Sequence, residues 1–117
     1  MNIEEVRNYA LSMNGQVTER LFADKWLSWR IGGKWFLLTE LDTPDPWVAV
    51  KLEPEVGEVL REHYEGVRPA YHMNKRHWSD LVLRLLSDDF VREHIKASYN
   101  LVVSKLPKRL RADIMKS

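Results

Sequence analysis

The chain has 117 residues, enough for one domain with a buried core, and we expect a single domain spanning residues 1–117. It contains no cysteine, which excludes disulfides, thiolate nucleophiles and metal sites built on cysteine. The net charge is only +1, which argues against a molecule that is basic all over, and no apolar run approaches the about 18 residues of a membrane helix. A cytoplasmic protein is therefore expected.

A first helix is predicted from Ile3 to Met13. Asn2 is suited to cap it, Glu4 and Glu5 place acids in the first turn, and Gly15 follows the predicted end. Apolar residues recur at helical spacing at Ile3, Val6, Ala10 and Met13.

Three strands are predicted next. In "WLSWRIGGKWFLLTEL" the pair Gly32 and Gly33 separates two aromatic, β-rich runs, which is the spacing of a hairpin with a two-residue turn. The following "WVAVKLE", from Trp47 to Glu53, alternates larger apolar residues with other residues, a pattern typical of a half-buried strand.

The second half of the chain predicts two longer helices with a strand between them. Pro54 is suited to open the first of these helices. Its apolar side carries Val56, Val59, Leu60 and His63. Residues Trp78 to Leu85 are predicted to form a strand, with Leu81, Leu83 and Leu85 on one face. Ser87 is suited to cap the next helix, whose apolar positions are Val91, Ile95, Tyr99, Val102 and Leu106. Pro107 interrupts it, and a short basic helix from Lys108 to Met115 follows.

The predicted order of elements is α–β–β–β–α–β–α. Short additional strands fit on each side of the hairpin and in the loop before Trp78. Runs of strands flanked by helices indicate an α+β domain in two layers, a small antiparallel β-sheet packed by helices.

Charge is distributed unevenly along this sequence. Residues 53–65 carry five glutamates against one arginine, a net charge of −4, whereas residues 66–78 carry three cations and no acid. Residues 105–117 carry five cations against one aspartate, a net charge of +4. Such segregation either steers an anionic partner or forms ordinary solvated faces.

The segment "VRPAYHMNKRHWSDLVL", Val67 to Leu83, concentrates the polar functional groups. One interpretation is structural: Pro69 fixes the backbone, Asn74 closes an Asx turn and Trp78 anchors the loop to the core. The other interpretation is contact with nucleic acid. Its candidate residues are the cations Arg68, Lys75 and Arg76 for phosphates, the hydrogen-bonding His72, Asn74 and His77, and Lys34 at the hairpin tip.

The spacing "VRP--H-NK-HW" resembles the signature of the MmcQ/YjbR family. It is formed by Val67, Arg68, Pro69, His72, Asn74, Lys75, His77 and Trp78. The predicted N-terminal helix, "VAVKLEPE" before the second helix, "ASY" at residues 97–99 and "LP" at residues 106–107 extend the resemblance along the chain. It implies a fold similar to the frataxin (CyaY) and secretion-chaperone folds, with helices packed on one face of a small antiparallel sheet. It also implies DNA binding, the label commonly given to family members from a proposed winged arrangement of hairpins.

The sequence shows no catalytic or metal-binding pattern. The histidines lack a spacing such as H-E-x-x-H, and no cysteine complements them. Ser79 and Asp80 follow His77, but adjacency along the chain does not indicate a catalytic triad. Gly32 and Gly33 belong to the hairpin and not to a phosphate-binding loop. We therefore expect a protein that is not an enzyme and needs no metal or cofactor.

Two functions remain open. The first is weak, largely non-specific DNA binding by a monomer, through the basic loop and the hairpin wing, since few phosphate contacts give salt-sensitive binding. The alternative is a protein-docking module that adds a partner strand to a sheet edge beside exposed aromatic residues. Five tryptophans exceed what one small core takes, so we expect one or two to mark a partner surface. No membrane partner is expected.

Overall fold

The structure is a computed structural model that describes residues 1–116; Ser117, the last residue of the predicted domain, lies outside the described residues. The elements in chain order are α1 (Ile3–Leu11), β1 (Thr18–Phe22), β2 (Trp26–Ile31), β3 (Lys34–Glu40), β4 (Trp47–Lys51), α2 (Pro54–His63), β5 (Val67–Pro69), β6 (Trp78–Val82), α3 (Asp88–Ser104) and α4 (Lys108–Met115). A 3₁₀ turn (Leu83–Leu85) leads from β6 towards α3. Asn2 and Ser87 cap α1 and α3 as predicted.

The strands form one antiparallel sheet in the order β1-β2-β3-β4-β6-β5. The predicted α+β class is confirmed, and β1 and β5 are the short additional strands predicted before the hairpin and before Trp78. The one predicted after the hairpin is absent, because residues 41–46 turn the chain directly from β3 into β4. Three boundaries were predicted wrongly, and one of them is the end of β4, which stops at Lys51 and not at Glu53. The first helix ends before Ser12, whose hydroxyl and N–H both bond to the Tyr9 carbonyl, a local pairing that competes with further helix. The last strand ends at Val82, because the chain then tightens into the 3₁₀ turn, where Leu83 is buried in the core.

Helices cover one face of the sheet and bury the main core. The apolar positions predicted for the third helix and its end, Val91, Ile95, Tyr99, Val102 and Leu106, are all buried. The sheet contributes Trp29, Ile31, Leu37, Val48, Val50 and Leu81 to the same core. Ser98 ties α3 to the sheet, because its hydroxyl donates to the Phe36 carbonyl at 2.6 Å and accepts from the Lys51 N–H at 2.8 Å.

The buried side of α2 differs from the prediction. Pro54 opens the helix as predicted, but Val56 and Val59, placed on its apolar side, are 45% and 53% exposed. The buried residue is Gly57, and a Cβ there would lie 3.1 Å from Arg61 Nη1. Arg61 Nη1 donates to the Ser79 hydroxyl of β6 at 2.9 Å. Leu60, which was also placed on the apolar side, is partly buried and packs against the main core as predicted. The helix therefore meets the rest of the fold through Leu60, a small residue and a polar contact, and apolar periodicity reveals only the first of these.

The hairpin between β2 and β3 is docked on the end of α3. Gly32 and Gly33 have φ values of 59° and 79°, and Ile31 pairs with Lys34, which confirms the predicted two-residue turn. A Cβ on Gly32 would lie 2.7 Å from Leu106 Cδ1. The tip therefore packs directly against Leu106 and is not a freely projecting wing.

The second face of the sheet carries a cluster of aromatic residues. Its members include Phe22, Trp26, Trp35, Trp47 and Trp78. Residues 70–77, which we call the 70–77 loop, contribute Ala70 and Met73 to this cluster. Of the five tryptophans, Trp29 alone lies in the helix-covered core. Trp78 is buried, and the other three are partly exposed.

Candidate functional site

The 70–77 loop is an ordered bend, as its sequence predicted. Asn74 Oδ1 accepts a hydrogen bond from the Arg76 N–H at 2.9 Å, which is the predicted Asx turn. The Asn74 carbonyl accepts from the Trp78 N–H at 2.9 Å, and the Trp78 side chain is buried with Ala70. Asn74 and Trp78 therefore hold the loop to the sheet.

His72 is held by the aromatic face of the sheet. Its ring centre lies 4.7 Å from that of Trp26, edge to face, and 6.0 Å from that of Trp47, nearly parallel. Its Nε2 lies 3.5 Å from Glu40 Oε2. These contacts within the chain already occupy the ring that the sequence suggested as a hydrogen-bonding group for nucleic acid.

Arg68 and Lys75 border a cleft of about 470 Å³, which we call the β5 cleft. Its lining includes Trp47, Arg68, Pro69, Tyr71, Lys75 and Asp80. Arg68 lies opposite Asp80 in the pairing of β5 with β6. Lys75 Nζ donates to the Ala70 carbonyl at 3.1 Å and lies 6.0 Å from the centre of the Tyr71 ring. Two of the predicted loop cations therefore share this cleft.

Asp80 is a buried carboxylate in the β5 cleft, and its side chain is only partly satisfied. The residue is 8% exposed, and its Oδ2 accepts a long hydrogen bond of 3.3 Å from the Tyr71 N–H. Its Oδ1 is buried and has no hydrogen-bond partner among residues 1–116. Burial raises the pKa of Asp80 to about 6, against the opposing effects of the Tyr71 hydrogen bond and the charges of Lys75 and Arg68. The sequence singled out Asp80 only as a neighbour of His77.

Arg76 and His77 lie at the other end of the 70–77 loop. Both side chains are exposed, and the His77 carbonyl accepts from the Leu52 N–H at 2.8 Å. That hydrogen bond places this end of the loop beside the end of β4. The predicted site residues are therefore divided between the two ends of the loop and do not form one cluster.

A further set of cations converges where the hairpin tip meets the end of α3. Lys34, Lys51 and Lys105 line one groove together with Leu106 and Pro107. An adjoining groove shares two of these lysines and is lined by Arg30, Gly33, Lys34, Trp35, Lys51 and Trp78. We call the two joined grooves the basic groove.

The cations of the basic groove have no internal counter-ions. Among residues 1–116, no carboxylate oxygen lies within 4.0 Å of a side-chain nitrogen of Arg30, Lys34, Lys51 or Lys105. The Arg30 guanidinium lies 5.3 Å from the centre of the Trp35 ring, and Arg30 Nε has no hydrogen-bond partner in this part of the chain. Within residues 1–116, the groove therefore presents four positive charges without a carboxylate partner.

Sequence reasoning found one of these four cations. It named Lys34 at the hairpin tip as a site residue and Lys105 only as part of the basic C-terminal segment, and it did not name Arg30 or Lys51. A signal for Lys51 was present, because this lysine stands between the buried Val50 and Leu52 at the end of a strand. Lys105 belonged to the basic segment 105–117, whose position in space could not be read from the sequence.

The residues after the loop do not come together as a triad. The Ser79 hydroxyl accepts from Arg61 of α2, whereas Asp80, its neighbour along β6, lines the β5 cleft on the other face of the sheet. No group of three or more His, Asp or Glu residues in the described part of the chain is arranged to hold a metal ion. None of the helices within residues 1–116 is both long and apolar enough to cross a membrane.

Relatives of known sequence match most of the chain. The family model described as YjbR matches residues 11–101. The Uncharacterized protein YjbR of Escherichia coli strain K12 is 32% identical over 114 residues, which cover 95% of each chain. The Uncharacterized protein YbdF of Escherichia coli O157:H7 is 34% identical over 89 residues, which cover 75% of this chain and 73% of the relative.

Solved structures match the fold. Protein DR2400 of Deinococcus radiodurans, described with the domain DUF419, superimposes with a TM-score of 0.89 at 26% identity, over 97% of this chain and 87% of that one. A Pseudomonas syringae protein superimposes with a TM-score of 0.72 at 25% identity, over 86% of this chain and 98% of that one. The same α+β arrangement therefore extends across distant relatives.

Proposed function

The chain belongs to the YjbR family, and from this premise and the chain's own geometry we propose that it binds nucleic acid by contacting phosphates through the basic groove. The binding is weak and largely independent of sequence, and no covalent step is part of it. DNA is the first ligand to test, because the family resemblance implies it.

The observation that carries the proposal is the convergence of three lysines from three separate elements. Lys34 begins β3, Lys51 ends β4 and Lys105 follows α3, yet all three line one groove. Like charges repel one another, and these have no carboxylate partner among residues 1–116. A bound polyanion supplies the missing negative charge and gains from the release of its own counter-ions.

Aromatic surface in the same groove favours nucleic acid over an isolated anion. Trp35 and Trp78 line the groove beside Lys34 and Lys51. Arg30 lies over the Trp35 ring, and a guanidinium plane is a surface on which an unpaired base can stack. The groove thus combines phosphate contacts with a stacking surface.

The same geometry sets the strength and specificity of binding. Three or four phosphate contacts give an expected Kd on the order of 10⁻⁴–10⁻⁶ M at physiological salt. The affinity falls as the salt concentration rises. The hairpin tip packs against Leu106 and so is not free to enter a duplex groove and read base edges. Little preference among sequences is therefore expected.

Two variants that remove the same net charge test which surface binds. The groove variant carries Lys34→Gln, Lys51→Gln and Lys105→Gln, and the loop variant carries Arg68→Gln, Lys75→Gln and Arg76→Gln. Each is titrated with duplex and single-stranded DNA at two salt concentrations. We expect the groove variant to lose most of its affinity, and the slope of log affinity against log salt to fall by about 0.9 for each duplex phosphate contact removed.

The loop variant is the matched control, and it should retain most of its affinity. If the loop variant loses affinity and the groove variant does not, the 70–77 loop is the interface and the basic groove is not. If the wild-type protein binds neither form of DNA at low salt, the proposal is wrong.

Protein docking is a second candidate, favoured by apolar residues that the fold leaves uncovered. Val56 and Val59 lie one turn apart on α2 and are both exposed. β1 is an edge strand with an unpaired side, and its Leu21 is 54% exposed. Docking is supported if one protein partner is captured at high salt and is no longer captured by a variant carrying Val56→Ser and Val59→Ser. Binding whose affinity falls as the salt concentration rises supports the basic groove instead.

A further inference from the structure

The β5 cleft is a second concave site, distinct from the basic groove. Its volume of about 470 Å³ falls within the range of small-molecule sites, which is about 300–1,000 Å³. Trp47 and Tyr71 give it aromatic surface, and Arg68, Lys75 and Asp80 give it charge. Neither Arg30, Lys34, Lys51 nor Lys105 lines it.

The cations of the cleft are available to bind an anionic ligand. Arg68 has no carboxylate within 4.0 Å among residues 1–116, and Lys75 Nζ uses one of its three donors on the Ala70 carbonyl. Asp45, which also lines the cleft, already pairs with Arg84 at 3.0 Å. Arg68 and Lys75 therefore both act on Asp80, and Arg68 also acts on the already paired Asp45.

Asp80 in turn receives too few hydrogen bonds on its carboxylate oxygens. Its Oδ1 has no hydrogen-bond partner in the described chain, and the bond from the Tyr71 N–H to Oδ2 is long at 3.3 Å. A buried polar atom left unpaired is rare in native proteins and calls for an explanation such as an absent ligand. The group that completes Asp80 must present hydrogen-bond donors, since an ionised carboxylate only accepts.

We propose that the β5 cleft binds a guanine nucleotide, with its phosphate on Arg68 and Lys75, its base against Tyr71 and Trp47, and its paired N–H donors on Asp80. Guanine presents two adjacent N–H donors on its Watson–Crick edge, whereas adenine places an acceptor beside its donor. A carboxylate therefore discriminates between the two purines. Bases held outside a duplex are recognised in this way, by stacking on aromatic side chains and by hydrogen bonds to that edge.

Entry of the base requires a small movement at the mouth of the cleft. Asp80 Oδ1 is closed to solvent. Tyr71 lines the cleft and is 77% exposed, so its ring can rotate to meet a base without uncovering the core. Its backbone N–H, which bonds to Asp80, stays in place during such a rotation.

The proposal is tested by calorimetric titration of the full chain with guanosine 5′-monophosphate, adenosine 5′-monophosphate and guanosine. We expect the guanine nucleotide to bind at least tenfold more tightly than the adenine nucleotide. Asp80→Asn should abolish that preference. Arg68→Gln should lower the affinity for the guanine nucleotide at least tenfold. It should leave the affinity for guanosine unchanged, because guanosine has no phosphate.

Arg92→Gln, which removes an equal charge on α3, is the control and should change nothing. Equal affinity for the two purine nucleotides, no binding at millimolar concentration, or an Arg68→Gln variant that binds like the wild type would each overturn the proposal. Arg68 is exposed, so its variant does not depend on repacking of the core.

The nucleotide has two sources, a free mononucleotide or the end of a strand lying in the basic groove. An oligonucleotide with a 5′-phosphorylated guanosine end distinguishes them. If the wild type binds the oligonucleotide more tightly than the mononucleotide, and the groove variant binds both with equal affinity, the source is a strand end. If each protein binds the oligonucleotide and the mononucleotide with equal affinity, the ligand of the cleft is the free nucleotide. The groove variant should bind the mononucleotide normally, so failure of one proposal leaves the other standing.

Discussion

At the scale of single residues, Asp80 is a carboxylate that is buried but receives too few hydrogen bonds. Its carboxylate has lost most of its hydration and receives one long hydrogen bond in return. An incompletely paired charge is unfavourable in such surroundings, so the carboxyl holds a proton more tightly in the folded chain than in the unfolded one. The sequence did not reveal this, because the burial of Asp80 depends on how β4, β5 and the 70–77 loop close around it in the folded chain.

Asp80→Asn should stabilise the protein at neutral pH. The folded pKa of about 6 lies above the ordinary value of 3.8, so the contribution of Asp80 to stability is present below about pH 4 and is lost as pH rises towards 6. That difference corresponds to at most about 3 kcal/mol at 1.36 kcal/mol per pKa unit, and we expect a gain of about 1–3 kcal/mol at pH 7.

Urea unfolding of both proteins from pH 4 to pH 7 measures this effect. The gain in the free energy of unfolding should be near zero at pH 4 and grow with pH. Asp89→Asn, at an exposed site on α3, is the control and should show no such trend. A gain that does not depend on pH would show that Asp80 is ionised normally in the folded chain.

At the scale of elements, local signals predicted those parts of the fold that local forces determine. The glycine pair set the hairpin turn, Ser87 capped α3, and the basic helix has the predicted bounds Lys108–Met115. The buried side of α2 was right for Leu60 but wrong for Val56 and Val59, since the seating of the helix also depends on a contact between Arg61 and Ser79, 18 positions apart. The docking of the hairpin tip on Leu106 likewise could not be predicted from local signals, because it joins segments distant in sequence.

The two turn glycines should differ in their tolerance of a side chain. Both have positive φ, so replacement by Ala costs roughly 1–2 kcal/mol at either position. Gly33 has open space around it, whereas a Cβ on Gly32 meets Leu106 at 2.7 Å. Gly32→Ala should therefore cost about 1–3 kcal/mol more than Gly33→Ala, because the Leu106 side chain must move.

Urea denaturation of the two single variants provides the comparison. In a Leu106→Ala background the two glycine substitutions should become similar in cost, since the obstructing side chain is gone. Equal costs in the wild-type background would mean that the tip does not pack on Leu106.

At the scale of the whole molecule, the sheet separates two apolar regions of different character. The helix-covered core contains Trp29 and the apolar residues of α3. The aromatic face is covered in part by the 70–77 loop, which is pinned by Trp78. The strand alternation predicted the first region well, whereas the second arises because a loop rich in polar residues folds over a face that the pattern assigned to solvent.

Trp78→Ala should loosen the loop side of the molecule more than the helix side. The side chain is 8% exposed, and its loss should cost about 3–5 kcal/mol. Amide hydrogen exchange in residues 70–77 should then occur through local opening, while α3 should still exchange only through global unfolding, at a rate raised by the loss of global stability. Tyr71→Ala, at a side chain 77% exposed, should cost less than about 0.5 kcal/mol. An unchanged melting temperature for Trp78→Ala would contradict the two-region description.

The docking of the hairpin tip on the end of α3 also has a consequence for the order of folding events. A hairpin closes within about 1–10 μs because its strands are adjacent in the chain. Lys51 and Lys105 are 54 positions apart, and bringing them together carries the entropy cost of closing a long loop. The hairpin therefore forms early with its lysine still isolated, and the basic groove is completed only when α3 docks. A partly folded chain presents scattered charges, and the four cations of the basic groove converge late, together with the native state.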